Sequence, residues 1–529
     1  MPFRNPILPG FNPDPSIICV GSDYFLVTSS FEYFPGIPVY TSKDLINWRR
    51  IGHVLTGPSQ LNMRTCPGSG GIYAPTLRYH EGRFYVTVTA VHKRQPDMVP
   101  PRGFHVSTND IFDQSSWSDP VYHDVLGIDQ DLFWDDDGTV YLSYAVSEFS
   151  PSFHMYTNTC KIDLATGRRK SPVKTIMTWA HDNHVAEGPH MLKKDGAYYL
   201  ITANGGTEIN HQEWVYRSEH GPFGPWVAGP EGTVNPLVHN GKHREVQQTG
   251  HMDLVEGVGG EWWAVCLGVR PVWREGESEL SHLGRETFLA PVEWKEGWPI
   301  VNQRKPISIL GIGGKSDPPR ISKSFEEKYD FSPGMDMGLA GWYNLRTPLK
   351  VEHDLTIRPG SLALLGGPYG LHVDESITAF FQKQTSFEGE YRVSIDYPDA
   401  EEGHEAGAMI WWSRGAYVSL GIRGTAEGRE IVFKSEPDID QITPIPAGEV
   451  HVRIVTTALH YTFYAAVGSA PESLIGRFDS GRLIRPTTPP SIMTGTHFGL
   501  YAVGANKIGS MTPAFFSGAS WRGTRAGGI

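Results

Sequence analysis

Closely spaced cysteines are missing from this chain. Cys19, Cys66, Cys160 and Cys266 lie far apart, with no CxxC pair, which excludes a zinc ribbon and a disulfide-dense scaffold. Isolated small core residues are the plain alternative. No run of about 18 apolar residues occurs, so no membrane-spanning helix is expected. There is no lysine-rich run or basic stripe, and the net charge is −12. Nucleic-acid binding needs a basic face to neutralise phosphate, so neither nucleic acid nor another polyanion is an expected partner. Neutral carbohydrate is compatible with this balance. No Asn-x-Ser/Thr sequon is present, and Met1-Pro-Phe-Arg-Asn-Pro runs into the first motif without an apolar leader. That fits a cytoplasmic protein, or a secreted one whose signal was removed ahead of this numbering.

What is abundant is turn chemistry. The 529 residues include 59 glycines and 40 prolines, with 12% aromatics. The length exceeds one hydrophobic core, and the composition fits many short strands, an all-β chain of at least two domains. Five segments share one pattern of a polar or small residue, an apolar strand, a Gly/Asp-rich turn and an aromatic-rich strand. They are Asp14–Val27 (DPSIICVGSDYFLV), Ala74–Val86 (APTLRYHEGRFYV), Asp129–Leu142 (DQDLFWDDDGTVYL), Glu187–Leu200 (EGPHMLKKDGAYYL) and His251–Ala264 (HMDLVEGVGGEWWA). Their leading residues are roughly 60, 55, 58 and 64 positions apart, somewhat above the about 40–50 of common propeller blades. Each reads as a β-hairpin. Five hairpins packed radially cover one another's faces and line a central channel, a five-bladed β-propeller. Asp14, Ala74, Asp129, Glu187 and His251 are then expected at equivalent places around one channel mouth. An acid at a strand start is commonly a turn former or cap. Three of them in one partly desolvated funnel are costly to maintain for structure alone, which points to chemistry.

At these residues the chain resembles glycoside hydrolase family 43, in particular its β-xylosidases with an added C-terminal sandwich. The resemblance is carried in order by Asn5–Ile17 (NPILPGFNPDPSI), Ser29–Arg49 (SSFEYFPGIPVYTSKDLINWR), Gly70–Glu81 (GGIYAPTLRYHE), Gly127–Thr139 (GIDQDLFWDDDGT), Val185–Lys193 (VAEGPHMLK) and His282–Phe288 (HLGRETF), spanning most of the chain. It implies a general base at Asp14, a general acid at Glu187, and at Asp129 a third acid that orients Glu187 and raises its pKa. It implies sugar contacts from Phe31, Tyr73, Thr207, Arg285, His251 and Met493. It also implies inversion of configuration, with the Asp14 and Glu187 carboxyls about 6.5–9.5 Å apart to admit a water. A gap near about 5 Å would instead suggest a retaining nucleophile. No cofactor is required; in some relatives the central histidine helps hold a hydrated calcium ion, so His251 is a candidate metal contact through water.

The residue types suit that chemistry. A carboxylic acid protonates a leaving group near neutral pH only if its pKa is raised, while its partner must stay ionised; like-charge repulsion from Asp129, aided by burial, would raise Glu187. Arg285 offers a planar fork of donors for sugar hydroxyls or a site carboxylate, or else a loop-stiffening salt bridge. Phe31 and Tyr73 suit stacking on sugar faces or ordinary core packing. His251 suits a metal or water contact, or a histidine plugging the channel. Tyr73 stands where many relatives have tryptophan, giving a smaller platform with a hydroxyl; Ser143–Ser147 lacks an aromatic pair that some xylosidases carry; and Met493 takes the place of a phenylalanine that relatives send into the site. Trp262 and Trp263 are read as inter-blade packing.

The expected domains are a propeller over 1–310, a linker over 311–323 and an accessory domain over 324–529. The last resembles a concanavalin-like β-sandwich, with strand-like stretches that include Tyr391–Tyr397, Ala408–Trp412, Ala416–Ile422, Val450–Thr456, Tyr461–Ala466 and His497–Ala502. It is a clamp, a pocket wall or a separate glycan-binding module; a match at Met493 favours the wall, which would restrict the enzyme to chain ends. The expected activity is release of D-xylose from xylo-oligosaccharides, with L-arabinofuranose as a second leaving pentose. The alternatives are a chiefly arabinofuranosidase enzyme, a silent glycan-binding propeller and a retaining fructosidase. The expected partner is an oligosaccharide, with no membrane and with a homo-oligomer left open.

Overall fold

A computed structural model describes residues 3–92, 101–148, 153–178, 185–279, 281–311, 324–436, 438–484 and 493–524. The expected linker lies outside the described residues from 312 onward. Each of the five repeats is the inner hairpin of a four-stranded antiparallel sheet. The inner strands are Ser16–Val20, Gly71–His80, Ile128–Trp134, Ala186–Lys194 and Gln247–Glu256. Each packs against the next, and the last against the first, so the sheets close into a propeller. The chain start is tied to the final blade: Asn5 Nδ2 donates to Leu289 O at 3.0 Å and Ser308 O at 3.2 Å.

The repeat aligns differently from the sequence expectation in the fourth blade. The inner ladders slip between Tyr73 and Thr76, Ile128 and Asp131, Glu187 and His190, and Gly250 and Asp253. Each slip is a bulge that sets extra backbone at the channel mouth. Its second residue is left-handed: Ala74 (φ 37°), Asp129 (φ 55°), Gly188 (φ 57°) and His251 (φ 49°), with Asp14 (φ 52°) equivalent ahead of the first strand. Gly188, not Glu187, therefore shares the position of Asp14, Ala74, Asp129 and His251. A one-residue offset would send Glu187 to the opposite face of a regular strand; the bulge re-aims it, and Glu187 still lines the mouth.

A bulge frees backbone N–H groups that must find partners when buried. Side chains of the adjacent blade supply them. Ser29 Oγ accepts from Ala74 N at 2.7 Å, Asp129 Oδ2 from Gly188 N at 3.0 Å and Glu213 Oε2 from Met252 N at 3.1 Å, while in the unbulged first blade Asp253 Oδ2 accepts from Ile17 N at 3.2 Å. Two residues along each inner strand, side chains face the channel again. Asp131, His190 and Asp253 stand there, and Arg78, four residues beyond Ala74, bridges Asp131 and Asp253, both at 2.9 Å, and meets His190 Nδ1 at 3.0 Å. This buried ionic layer floors the mouth and joins four of the five blades.

The C-terminal region forms two facing sheets. One runs His353–Asp354, Ser361–Leu364, Ala514–Thr524, Gly389–Asp396, Val450–Thr456, His460–Val467 and Ser473–Asp479, with Ser324–Tyr329 also on Ala514–Thr524. The other runs Ala379–Lys383, His497–Val503, Glu405–Ser413, Ala416–Thr425, Gly428–Ser435 and Asp438–Ile445. All six stretches expected from sequence fall on strands here, with Tyr397 alone lying one residue beyond the end of its strand. Strand Glu405–Ser413 is buried throughout. Ala406, Ala408, Ile410 and Trp412 enter the sandwich core, whereas Met409 and Trp411 pack with Phe11, Phe31 and Tyr33 of the propeller. Period-two alternation thus makes one strand serve two cores. Pairing of Asn344–Leu345 with Tyr33–Phe34 continues the junction.

Candidate active site

A cavity of about 730 Å³ opens at the bulged mouth, lined by Asp14, Asp129, Glu187 and His251 together with Phe31, Tyr73, Thr207, Arg285 and Met493. Every site residue expected from sequence is therefore brought to one place, and the three acids come from three different blades.

Asp14 is held as an anion. Ser29 Oγ donates to its Oδ2 at 2.5 Å, Arg285 Nη1 stands 3.3 Å from Oδ1 and His251 Nδ1 3.6 Å from Oδ1. Burial alone would raise this carboxyl, but Arg285, His251 and the Ser29 hydroxyl outweigh it and lower the pKa. Glu187 is the opposite case. Burial, then the charges of Asp129 and Asp14, push it up to about 8 against a smaller opposing effect of Arg285. Burial, ahead of the repulsion emphasised from sequence, is the larger cause. Asp129 is also raised, by burial and the Asp14 charge, with His251 and the Gly188 N–H opposing. Because that N–H adjoins Glu187, Asp129 fixes the backbone carrying the neighbouring acid.

The walls are built from both domains. Phe31 and Tyr73 rings lie 4.7 Å apart at 41°, and the Arg285 guanidinium sits 5.4 Å over Phe31. The Tyr73 hydroxyl donates to Ser69 O at 2.5 Å. Ser69 Oγ in turn accepts from Met493 N at 2.8 Å, and Arg285 donates to Thr207 Oγ1 at 3.2 Å and Met493 O at 3.4 Å. Where Ser143–Ser147 lacks the aromatic pair, Ala145, Val146 and Ser147 line the mouth and Phe153 brings an aromatic surface.

Three functional neighbours escaped the sequence reading. Ser29 lay inside a recognised motif with nothing to single it out. Glu213 is fully buried and raised well above its ordinary range, chiefly by burial. His211 lines the cavity with its ring flat against Gly250, where a Cβ would lie 2.5 Å from Nε2. Burial pulls its pKa down to about 3. With Nδ1 facing Gln248 O at 3.0 Å, the neutral ring carries its proton on Nδ1 and leaves Nε2 as an acceptor. None of these belongs to a repeat-leading position. Among the described residues, no group of three His, Cys, Asp or Glu side chains is set to hold a metal.

The glycosyl hydrolases family 43 model matches residues 3–299, and a β-xylosidase C-terminal concanavalin A-like domain model matches 328–522. A non-reducing-end α-L-arabinofuranosidase of Bacteroides ovatus is 34% identical over 97% of this chain and 93% of its own. A xylosidase/arabinosidase of Humicola insolens is 31% identical over 97% and 93%. The crystal structure of a xylan β-1,4-xylosidase from Bacillus halodurans superposes with a TM-score of 0.86 at 31% identity, covering 99% of this chain and 100% of that one. Motifs, topology and full-length similarity agree: the chain belongs to glycosyl hydrolases family 43 and is a glycosidase.

Proposed function

We propose that the enzyme removes single pentoses from the non-reducing ends of xylan-derived oligosaccharides with inversion, acting as a β-D-xylosidase with α-L-arabinofuranosidase activity. The observation that carries this reading is the opposed tuning of two carboxyls in one cavity, Asp14 lowered and Glu187 raised to about 8. Two carboxyls driven apart by their surroundings take the acid and base roles. Glu187 donates its proton to the glycosidic oxygen as the bond to the anomeric carbon breaks. Ionised Asp14 takes a proton from water attacking the opposite face. Asp129 keeps Glu187 protonated and its backbone fixed. Arg285, spanning Asp14, Thr207 and Met493 O, holds the base and presents its edge to the sugar.

A wall role for the sandwich supports exo action, because Met493 lines the cavity and is tied to Arg285 and Ser69. The names of the full-length relatives support both pentoses. Hydrolysis of nitrophenyl β-D-xyloside and α-L-arabinofuranoside tests the order; a clear preference for the arabinoside favours the chiefly arabinofuranosidase reading. Proton NMR of the first-formed product tests inversion, since initial α-xylose from a β-xyloside is required. Activity after EDTA treatment and calcium add-back tests the metal.

A further inference from the structure

A second cavity, of about 570 Å³, lies between the propeller and the sandwich and takes no part in the chemistry above. Its lining includes Asn12, Tyr40 and Arg50 from the propeller and Tyr329, Gln382 and Lys383 from the sandwich. Lys383 is only 8% exposed. Its Nζ donates to Asn12 Oδ1 at 2.8 Å and lies 5.7 Å and 5.4 Å from the centres of the Phe11 and Tyr343 rings. Among the described residues, no carboxylate comes within 4 Å of Lys383 or of Arg50. A buried cation is ordinarily paired; here Lys383 shares the space with half-buried Arg50, whose Nη1 donates to Leu339 O at 3.2 Å. Burial, and then the charge of Arg50, pull the Lys383 pKa well down, as expected of an ammonium missing its counter-ion.

The remaining lining narrows the ligand. Gln382 is 5% exposed, and its Oε1 has no hydrogen-bond partner, as is also true of Arg50 Nε. An unpartnered buried carbonyl oxygen calls for a donor, which an inorganic anion lacks and a hydroxyl supplies. Tyr40 accompanies them, with its hydroxyl on Asn12 Oδ1 at 2.9 Å. The acids nearby, Glu327 and Asp330, stand at the exposed rim, where Glu327 accepts from the Tyr329 hydroxyl at 2.6 Å. We infer that this interdomain cavity binds a monosaccharide-sized polyhydroxy anion, its carboxylate or phosphate between Lys383 and Arg50 and a hydroxyl on Gln382. The same chemistry is offered by a uronic acid and by a sugar phosphate.

Isothermal titration calorimetry of the full chain tests this with D-glucuronate and glucose 6-phosphate as separate titrants. Saturating xylose is present throughout to occupy the catalytic pocket. Saturable binding of either titrant is expected, weakened about tenfold or more by Lys383→Met. Gln382→Glu, which places a carboxylate inside the cavity without changing side-chain size, guards against a folding defect in the first variant and is expected to abolish binding. Binding by one titrant alone supports the site and identifies its source. Absence of saturable binding up to about 10 mM, or binding left intact in both variants, overturns the inference. Inorganic phosphate binding as tightly as glucose 6-phosphate overturns the hydroxyl part of it.

Discussion

Glu187→Gln keeps the shape of the side chain and removes its ionisable proton, so it isolates the free energy stored in the raised carboxyl. The ordinary value of 4.5 is raised to about 8. At about 1.36 kcal/mol per pKa unit, that shift is worth on the order of 3–5 kcal/mol. The native state holds this proton more tightly than the unfolded chain does. The associated stability is therefore fully present below the ordinary carboxylate range, declines as pH rises, and is lost once pH passes about 8. The glutamine never ionises and escapes that loss. The variant is expected to match the wild type near pH 4 and to exceed it at pH 9 by a few kcal/mol, about 2 °C in Tm for each at this domain size. Thermal unfolding of both proteins across that range measures the difference, with the variant catalytically dead throughout. An offset that does not change with pH, or a variant less stable at pH 9, would refute the raised carboxyl and with it the acid assignment.

The same tuning sets the rate profile. kcat/KM is expected to fall on the alkaline side with a midpoint near 8, and Ser29→Ala, which removes the 2.5 Å donor to Asp14, is expected to move the acidic limb upward; an unmoved acidic limb would argue against Asp14 as the base. Asp14→Asn is expected to lower kcat by roughly 10²–10⁴-fold, measured on a nitrophenyl pentoside. Arg78→Met strands Asp131 and Asp253 without their bridging cation and is expected to destabilise the propeller by about 3–5 kcal/mol in denaturant titrations. Gly188→Ala adds a Cβ 3.0 Å from His251 Nε2 at a φ of +57°. It is expected to cost about 1–2 kcal/mol of backbone strain and to lower kcat more than it raises KM.

The inner hairpins were legible because each obeys local rules, with apolar alternation ending at a Gly-containing turn such as Asp135-Asp136-Asp137-Gly138, where Gly138 takes φ +79°. The acids were legible because repetition converts distance in sequence into adjacency in space. The offset of Glu187 was not: a bulge adds a residue without changing composition, and only hydrogen-bond register reveals that Gly188 holds the left-handed position. Ser29 and Glu213 escaped for a related reason, since their partners are backbone N–H groups of a neighbouring blade, which leave no trace in side-chain pattern. In the sandwich, Ala514–Thr524 was missed although it lies within the larger sheet and pairs with three other strands. Its Ser-Gly-Ala-Ser stretch resembles a turn, yet Ala514, Phe516, Ala519 and Trp521 all enter the core. Tertiary burial overrode local propensity there.

The bulges and their backbone partners at the mouth also explain how the site holds its strain. Asp14, Asp129 and His251 sit in backbone conformations unfavourable to residues with a Cβ, and two of the three acids have pKa values raised by burial. Such a mouth persists only where its surroundings over-determine it. From below, Arg78, Asp131, His190 and Asp253 fix four inner strands through a buried ionic layer. From the sides, bulge N–H groups of Ala74, Gly188 and Met252 are caught by side chains of an adjacent blade. From above, the sandwich closes with a strand committed to two cores, so Met409 and Trp411 press on the apolar cluster that contains Phe31. Stripping away the sandwich would expose that cluster and remove the carbonyl of Met493 from Arg285, the group that holds Asp14 ionised. The C-terminal region thus touches the site through Met493, whose carbonyl accepts from Arg285, while the groups that separate the two carboxyl pKa values, Arg285, His251, Ser29 and Asp129 among them, all lie in the propeller.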